Sequence, residues 1–207
     1  MTVKRYYTES YYTNTYLILS GSDAILIDPV DDSDELKEAA RGLNITYIVN
    51  THGHFDHITG NAYFKALTGA KIAIGKDDAV MLPSPELNLS TVFSIPVISP
   101  EPDLEFVEND VLKAGDDTFS ILFFPGHTSG GIALYSREKN MLFSGDFIFR
   151  DSIGRMDSPT GSIEKMKESL KKVILMPPET VVYPGHGLPF SLGDFIKEIY
   201  PEIIKEL

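Results

Sequence analysis

The sequence predicts an α/β fold in which two β-sheets are sandwiched between helices, each half of the chain supplying one sheet and its helical layer. Short runs rich in β-branched and aromatic residues alternate with amphipathic stretches in both halves. Neither an internal repeat nor a linker divides the 207 residues, so we expect a single domain over 1–207. On the pattern alone, a doubly wound single sheet remains the alternative.

The predicted elements follow from where each periodic run begins and ends. The strands are Thr15–Ser20, Ala24–Asp28, Thr46–Asn50, Lys71–Ile74, Thr118–Phe124, Ile132–Tyr135, Met141–Ser144 and Thr180–Tyr183. The helices are Asp34–Gly42, Thr59–Leu67, the short Lys76–Leu82, Ser162–Ile174 and Leu192–Leu207. Ser33 or Asp34 can cap the first helix. Five prolines between Pro83 and Pro102 predict a long irregular loop, which often lines a binding site.

Composition excludes several classes of function. Thirty acidic and eighteen basic residues give a net charge of −12, and no basic cluster stands out, so nucleic acid is not an expected partner. The chain has no cysteine, which excludes disulfides, zinc–thiolate sites and thiol nucleophiles. Any metal must therefore be bound by histidine and carboxylate. The apolar runs are only strand-sized, so we expect a cytoplasmic protein without membrane contact.

Residues 51–60 carry the strongest signal, with the sequence Thr-His-Gly-His-Phe-Asp-His-Ile-Thr-Gly directly after an apolar strand. Imidazoles bind Zn(II), Fe(II) or Mn(II) as neutral ligands, and a carboxylate adds charge neutralisation. One loop of this composition can supply ligands to two adjacent ions. A polar loop that arose by chance would rarely combine these residues.

The other two histidines and one aspartate also follow apolar strands. His127 and His186 both end a Pro-Gly-His turn, and Asp146 follows the run Met141–Ser144 and a glycine. Taken alone, each residue is more typical of an ordinary turn. All five histidines of the chain nevertheless lie at strand ends, and together they predict a metal site.

This order of motifs resembles the metallo-β-lactamase superfamily over nearly the whole chain. The resemblance implies a four-layer αββα sandwich. It also implies a first metal site of His52, His54 and His127, a second of Asp56, His57 and His186, and Asp146 as the bridging ligand. Asp28 is similar to the family's aspartate that supports the metal loop by hydrogen bonds. A plain turn before Pro29 is the alternative reading of Asp28.

The chemistry implied by the resemblance is hydrolysis with two divalent metal ions, zinc or alternatively iron or manganese. A hydroxide bridging the ions would attack the carbonyl of a small-molecule acyl substrate. Asp56 would both bind metal and orient that hydroxide, which gives it a catalytic role.

Within the superfamily, residues 144–149, 154–157 and 183–187 are most similar to the glyoxalase II branch and its single-domain relatives, which implies a thioester or ester substrate. Glyoxalase II enzymes carry a further helical domain that grips glutathione, whereas this chain has 21 residues after His186. The resemblance therefore leaves open whether glutathione is recognised. Arg155 is a candidate for binding an anionic substrate, or alternatively a structural partner of Asp157.

Three alternatives stay open. A persulfide dioxygenase would use one Fe(II), held here by His52, His127 and Asp146. A lactonase would use the same dinuclear centre, and a non-catalytic module would keep the metal for folding alone. β-Lactamase activity is not expected, because those enzymes replace or shift ligands, often with cysteine. In all the catalytic readings, Ile148, Phe149, Ile153 and the loop 83–102 are expected to shape the pocket.

Overall fold

Two six-stranded sheets face each other in the computed structural model, which describes residues 1–30 and 34–207. The first sheet has the spatial order β1 to β6, with antiparallel pairing from β1 to β3 and parallel pairing from β3 to β6. Its strands are β1 Thr2–Thr8, β2 Thr13–Ser20, β3 Asp23–Ile27, β4 Asn44–Asn50, β5 Lys71–Gly75 and β6 Leu104–Phe106.

The second sheet comes from the second half of the chain and runs in the order β12 to β7. All its neighbouring strands are antiparallel except β10 and β11, which are parallel. Its strands are β7 Val111–Ala114, β8 Asp117–Phe123, β9 Ile132–Ser136, β10 Met141–Gly145, β11 Val181–Pro184 and β12 Phe190–Ser191.

Helices cover both outer faces, which gives four layers. The α-helices are α1 Asp34–Ala40, α2 Asn61–Thr68, α3 Ile163–Val173, α4 Leu192–Asp194 and α5 Tyr200–Glu206. One apolar core lies between the first sheet and the helices α1 and α2, and a second lies between the two sheets. A third core joins the second sheet to α3 and the C-terminal helices. The predicted αββα sandwich is confirmed, and the doubly wound single sheet is excluded.

The differences from the sequence prediction lie at edges and turns. The strands β1, β6, β7 and β12 were not predicted, because they are short, polar or half-exposed and depend on their neighbours for pairing. The segment Lys76–Met81 forms a 3-10 turn, and Phe195–Ile199 forms a π-helical turn between α4 and α5. Ser162 caps α3 through its side chain. Ser33, a predicted cap for α1, lies outside the described residues.

Strand direction brings the polar strand ends together. The parallel neighbours β3 and β4 end at the same edge of the first sheet, where Asp28 and the loop 51–57 begin. In the second sheet, β8 and β10 both run antiparallel to β9, and β11 runs parallel to β10. The segments that carry His127, Asp146 and His186 therefore leave that sheet at one common edge.

The core between the sheets should dominate stability. Phe143 is fully buried there, with ring centroids 5.4 Å from Tyr16 and 4.9 Å from Tyr183. We expect Phe143→Ala to lower the free energy of unfolding by about 3–5 kcal/mol, since a large buried ring leaves a cavity. Denaturant titration measures this change. Leu175→Ala is the control, because Leu175 is 84% exposed and its truncation should cost less than about 0.5 kcal/mol. Equal losses in the two variants would contradict this account of the core.

Candidate metal centre

The three residues His52, His54 and His127 form the first group of candidate ligands. One nitrogen from each ring lies within 4.8 Å of the others, and all three residues are buried. His54 presents its Nδ1 atom, which lies 2.9 Å from His127 Nε2. Buried imidazoles that turn ring nitrogens toward one another, without a carboxylate among them, are typical of a cation site.

A second group consists of Asp56, His57 and His186, again with its ligand atoms within 4.8 Å. Asp56 Oδ2 lies 3.6 Å from His57 Nε2 and 3.4 Å from His186 Nε2. Asp146 lies between the two groups. Its Oδ2 is 3.6 Å from His127 Nε2 and 3.2 Å from His186 Nε2, and its Oδ1 is 3.4 Å from His57 Nε2. The side chains of the seven predicted ligands therefore converge, and Asp146 lies between the two groups.

Hydrogen bonds behind the rings set the tautomer of four histidines. His127 Nδ1 lies 2.8 Å from the carbonyl oxygen of Arg155, and His186 Nδ1 lies 2.7 Å from that of Tyr12. A carbonyl oxygen only accepts, so each Nδ1 carries a proton and Nε2 is the ring nitrogen that faces the site and can bind a metal ion. This arrangement is typical of metal-ligating histidine.

Asp28 orients the remaining two of these four rings. Its Oδ2 accepts from His57 Nδ1 at 3.0 Å and from the Thr51 hydroxyl at 2.6 Å. Because the Thr51 hydroxyl donates to Asp28, its oxygen is free to accept from His52 Nδ1 at 3.2 Å. Asp28 also accepts from the backbone amide of Thr51 at 2.7 Å. Asp28 therefore holds the start of the histidine loop and the rings of His57 and His52 in place through hydrogen bonds, as the family resemblance implies, and a plain turn before Pro29 would not require these contacts.

Glycine at position 185 permits the close approach of the second group. A Cβ there would lie 2.2 Å from Asp146 Oδ1 and 2.7 Å from His57 Cε1, which a side chain cannot satisfy. The glycine of this Pro-Gly-His turn is thus required for packing against the ligands themselves.

The electrostatics divide the site into two halves. Burial lowers the pKa of His52, and burial together with His127 lowers the pKa of His54 to about 3, so both rings are neutral. Burial also disfavours the cationic form of His57, but the carboxylates of Asp146, Asp56 and Asp28 outweigh it and raise its pKa to about 9. In the same way Asp146 raises the pKa of His186 to about 11 against the effect of burial. Such opposed pKa shifts among neighbouring groups are typical of functional sites.

Buried polar atoms without a partner indicate what the site holds. Among the described residues, His52 Nε2, His57 Nε2 and Asp146 Oδ1 are buried and have no hydrogen-bond partner. Leaving such atoms unsatisfied costs about 1–3 kcal/mol each. Neutral imidazoles and carboxylates are also the donor set that Zn(II), Fe(II) and Mn(II) accept. The residues present therefore fit divalent metal ions.

Sequence reasoning missed Asp78, which ties the two histidine-bearing loops together. Asp78 is fully buried in the 3-10 turn Lys76–Met81. Its Oδ2 accepts from the amide of Gly53 at 3.1 Å and from the hydroxyl of Thr128 at 2.6 Å, and its Oδ1 accepts from the amide of Gly130 at 2.6 Å. Gly53 separates His52 from His54, and Thr128 follows His127. One carboxylate thus links both parts of the first ligand group.

Asn14 was also missed, and it holds the other end of the site. Its side-chain amide donates to the carbonyl oxygens of Pro184 at 3.0 Å and Gly187 at 2.8 Å. Its backbone amide donates to the carbonyl oxygen of Gly185 at 2.7 Å. The start of β2, in the first sheet, thereby fixes the turn that carries His186 in the second.

A cavity of about 430 Å³ opens over the candidate ligands. Its floor includes His54, Asp56, His127, Asp146 and His186. Its walls come from Ser10, Tyr11, Tyr12, Phe55, Leu89, Phe93, Ile95 and Arg155. The loop 83–102 lines the cavity as expected. The prediction for Ile148 and Ile153 is wrong, because they bridge to each other away from this cavity and Ile148 is fully buried.

Phe149 and Arg155 were also predicted to lie at the substrate pocket, and they border two different cavities. Phe149 borders a separate cavity of about 390 Å³ on the side of His186. Arg155 lines the main cavity, and its guanidinium pairs with Asp157, with Nε–Oδ1 and Nη2–Oδ2 distances of 2.7 and 2.9 Å. The structural pairing with Asp157 is therefore present, and the binding of an anionic substrate by Arg155 stays a prediction.

With this fold and this geometry, the chain belongs to the metallo-beta-lactamase superfamily, whose family model matches residues 10–186. Among curated relatives, the hydroxyacylglutathione hydrolase GloC of Haemophilus influenzae is 32% identical over 178 residues, which cover 83% of each chain. A hydroxyacylglutathione hydrolase of Cereibacter sphaeroides is 32% identical over 78% of this chain, but the match spans 56% of its own length. These similarities support the predicted glyoxalase II-like branch.

Solved structures agree with the family assignment. BLEG-1, a B3 metallo-beta-lactamase, has a TM-score of 0.89 at 28% identity, covering 95% of this chain and 97% of that chain. TTHA1623 in a di-iron-bound form has a TM-score of 0.85 at 30% identity, covering 95% and 98%. ETHE1 from Myxococcus xanthus has a TM-score of 0.77 at 27% identity, covering 99% and 85%. In residues 1–30 and 34–207, no helix is long and apolar enough to cross a membrane.

The Asp78 linkage predicts an effect on metal affinity without any loss of a ligand. We expect Asp78→Ala to weaken metal binding about 10–100-fold, because the amide of Gly53 and the hydroxyl of Thr128 lose their shared acceptor. Asp78→Asn should lose less, since its remaining oxygen still accepts from one side. Competition with a chromophoric chelator measures the affinity. The control is Asp77→Ala, which removes the exposed neighbouring carboxylate. Equal affinities of Asp78→Ala and Asp77→Ala would contradict the proposed linkage.

Proposed function

We propose that this protein is a dinuclear metal hydrolase that cleaves the acyl carbonyl of a small-molecule thioester or ester. The observation that carries the proposal is the convergence of five imidazoles and two carboxylates, in two groups with Asp146 between them, and three of these imidazoles and both carboxylates line the floor of an open cavity. Structural metal sites are usually closed, whereas catalytic sites keep access for substrate. The names of the relatives support a metal-dependent hydrolase.

In this proposal His52, His54 and His127 hold one ion, Asp56, His57 and His186 hold the other, and Asp146 contacts both. Two divalent ions bound there would supply an acidified water and a Lewis acid for the carbonyl. Zinc, iron and manganese all suit this donor set, and the di-iron form of TTHA1623 is an example of iron in a similar structure. The chain itself provides orientation, since Asp28 and the backbone carbonyls fix the rings before any substrate arrives.

Asp56 is the residue that we propose to act on the attacking water as well as to bind metal. Its carboxylate is partly exposed to the cavity, and its Oδ2 lies 3.4 Å from the Thr13 hydroxyl. Against the effect of burial, His57 and His186 lower the pKa of Asp56, which keeps it ionised. An ionised carboxylate at the cavity floor can accept a hydrogen bond from water and direct its lone pair toward a carbonyl.

Metal analysis combined with a substrate screen tests the proposal directly. We expect about two divalent ions per chain after reconstitution, and hydrolysis of thioesters or esters that is abolished by chelation and restored by metal. The screen includes a lactone, a β-lactam and a persulfide. One iron per chain with oxygen consumption on the persulfide would favour the dioxygenase. If the metal-loaded protein hydrolyses none of the acyl substrates, the proposed hydrolase function is refuted.

The role of Asp56 predicts a separation between turnover and binding. We expect Asp56→Asn to lower kcat by about 10²–10⁴-fold, the usual range for loss of a proton-accepting group, with KM changed far less. Steady-state kinetics at matched, measured metal content provides the test. Glu9→Gln is the control, because it neutralises an exposed carboxylate that does not line the cavity. Unchanged kcat in Asp56→Asn at full metal occupancy would rule out the proposed action on water.

A further inference from the structure

The walls of the main cavity are built from apolar and aromatic side chains that the proposed chemistry does not use. Phe55 is buried within the histidine loop and contacts a ring on either side. Its centroid lies 5.6 Å from Tyr11 in an edge-on arrangement and 4.9 Å from Phe93. Tyr11 comes from the turn between β1 and β2, and Phe93 comes from the loop 83–102. We call Tyr11, Tyr12, Phe55, Leu89, Phe93 and Ile95 the apolar wall.

Three side chains of the apolar wall are exposed to solvent, which is unfavourable for large apolar groups. Tyr12 is 67% exposed, Phe93 57% and Ile95 46%. Large apolar groups clustered at the mouth of a cavity are typical of a binding surface. Such groups gain free energy when a ligand covers them.

Backbone strain points to the same segments. Among the described residues, six other than glycine have positive φ, and two of these are asparagines, which tolerate that conformation well. Of the other four, Tyr12 and Leu89 line the cavity, Asp28 holds His57, and Ser94 lies between the lining residues Phe93 and Ile95. The φ angles are 59° for Tyr12, 49° for Asp28, 69° for Leu89 and 58° for Ser94. Strained non-glycine residues persist where the surrounding structure requires a particular side-chain placement, and they cluster at ligand sites.

The apolar wall provides no positively charged partner for an anionic acyl group. Arg155 is the one Lys or Arg among the described residues that line the cavity, and its guanidinium is engaged by both oxygens of Asp157. The carboxylates of Asp56 and Asp146 lie at the floor, where the two bound ions would offset their charge. A carboxylate or phosphate at the far end of the acyl group would lie against the apolar wall, without a cation beside it to compensate its desolvation.

We propose that the apolar wall is the acyl-binding surface and that the substrate carries an apolar acyl group, either aromatic or a medium-length aliphatic chain. This inference rests on the proposed function, since it assigns one side of the bond that the hydrolase cleaves. The inference does not assign the thiol or alcohol that is released. The second cavity at His186, with Arg150 on its border, is separate from the apolar wall.

The test uses thioesters of one thiol, N-acetylcysteamine, so that only the acyl group varies. The series is acetyl, butanoyl, hexanoyl, benzoyl, lactoyl and succinyl, assayed with the metal-loaded full chain. A fully buried methylene is worth about fourfold in an equilibrium, and about twofold is reasonable in an open cavity. Hexanoyl has four more methylenes than acetyl, so we expect kcat/KM to rise about sixteenfold between them, and we expect succinyl to fall about tenfold below butanoyl.

Phe93→Ala removes one ring of the wall without touching a candidate ligand. We expect it to lower kcat/KM for the hexanoyl thioester more than for the acetyl thioester, so that the hexanoyl preference falls to about threefold. Val92→Ala is the matched control, because Val92 is the neighbouring residue, is 74% exposed and does not line the cavity. It should keep the wild-type preference.

A binding measurement gives a second readout that does not depend on turnover. Ketone analogues, in which a methylene replaces the thioester sulfur so that hydrolysis cannot occur, are titrated calorimetrically into the metal-loaded protein. We expect the hexanoyl analogue to bind with a negative heat-capacity change that Phe93→Ala diminishes and Val92→Ala preserves.

Two kinds of failure are distinguishable. Hydrolysis of the series with lactoyl or succinyl preferred, or a hexanoyl preference that Phe93→Ala leaves intact, would overturn the acyl assignment and leave the hydrolase standing. Absence of hydrolysis with every member would overturn the hydrolase and the acyl assignment together.

Discussion

The structure depends on keeping several ionisable groups close together where water has little access. Buried polar and charged groups are costly unless each is paired or hydrogen-bonded, and an imidazole can rotate or change tautomer unless something holds its far side. Asp28 supplies much of that restraint. It holds His57 directly and His52 through Thr51, so a single carboxylate orients one ring from each candidate ligand group. Its φ of 49° shows that the backbone bends unfavourably to place it there.

The site also joins the two sheets, so fold and function share the same contacts. The Tyr16 hydroxyl donates to the carbonyl oxygen of Pro184 at 2.7 Å, beside the hydrogen bonds from Asn14. Asp78 connects segments from the two halves of the chain in the same way. Because these groups are buried, displacement of one sheet against the other would leave several polar atoms unpaired at once. The geometry of the ligands is therefore fixed by the packing of the sandwich rather than by any one loop.

Much of this arrangement is readable from the sequence, for a physical reason. The ligands occupy strand ends, and strand ends of like direction meet at one sheet edge, so a local pattern predicts a distant convergence. The hydrogen bonds that orient these ligands could not be predicted in the same way. His127 and His186 are oriented by the backbone carbonyls of Arg155 and Tyr12, and a carbonyl has no sequence signature. Asp78 sits in a short turn with nothing local to mark it. Strand β1 was missed because its exposed, polar pattern acquires regular pairing only from β2.

The floor and the apolar wall of the cavity differ in the chemistry of their side chains. The floor concentrates carboxylates and imidazoles, which suit cations and water but offer little binding energy to an organic group. Phe55 changes that, because it lies between His54 and Asp56 in sequence and packs against Tyr11 and Phe93. The loop that supplies the candidate ligands thus also supplies the centre of the apolar wall. A substrate covering that wall would exclude water from the floor, where electrostatic interactions would then strengthen. In the proposed function, the recognition of an apolar group and the activation of the adjacent bond therefore both use side chains of this short segment.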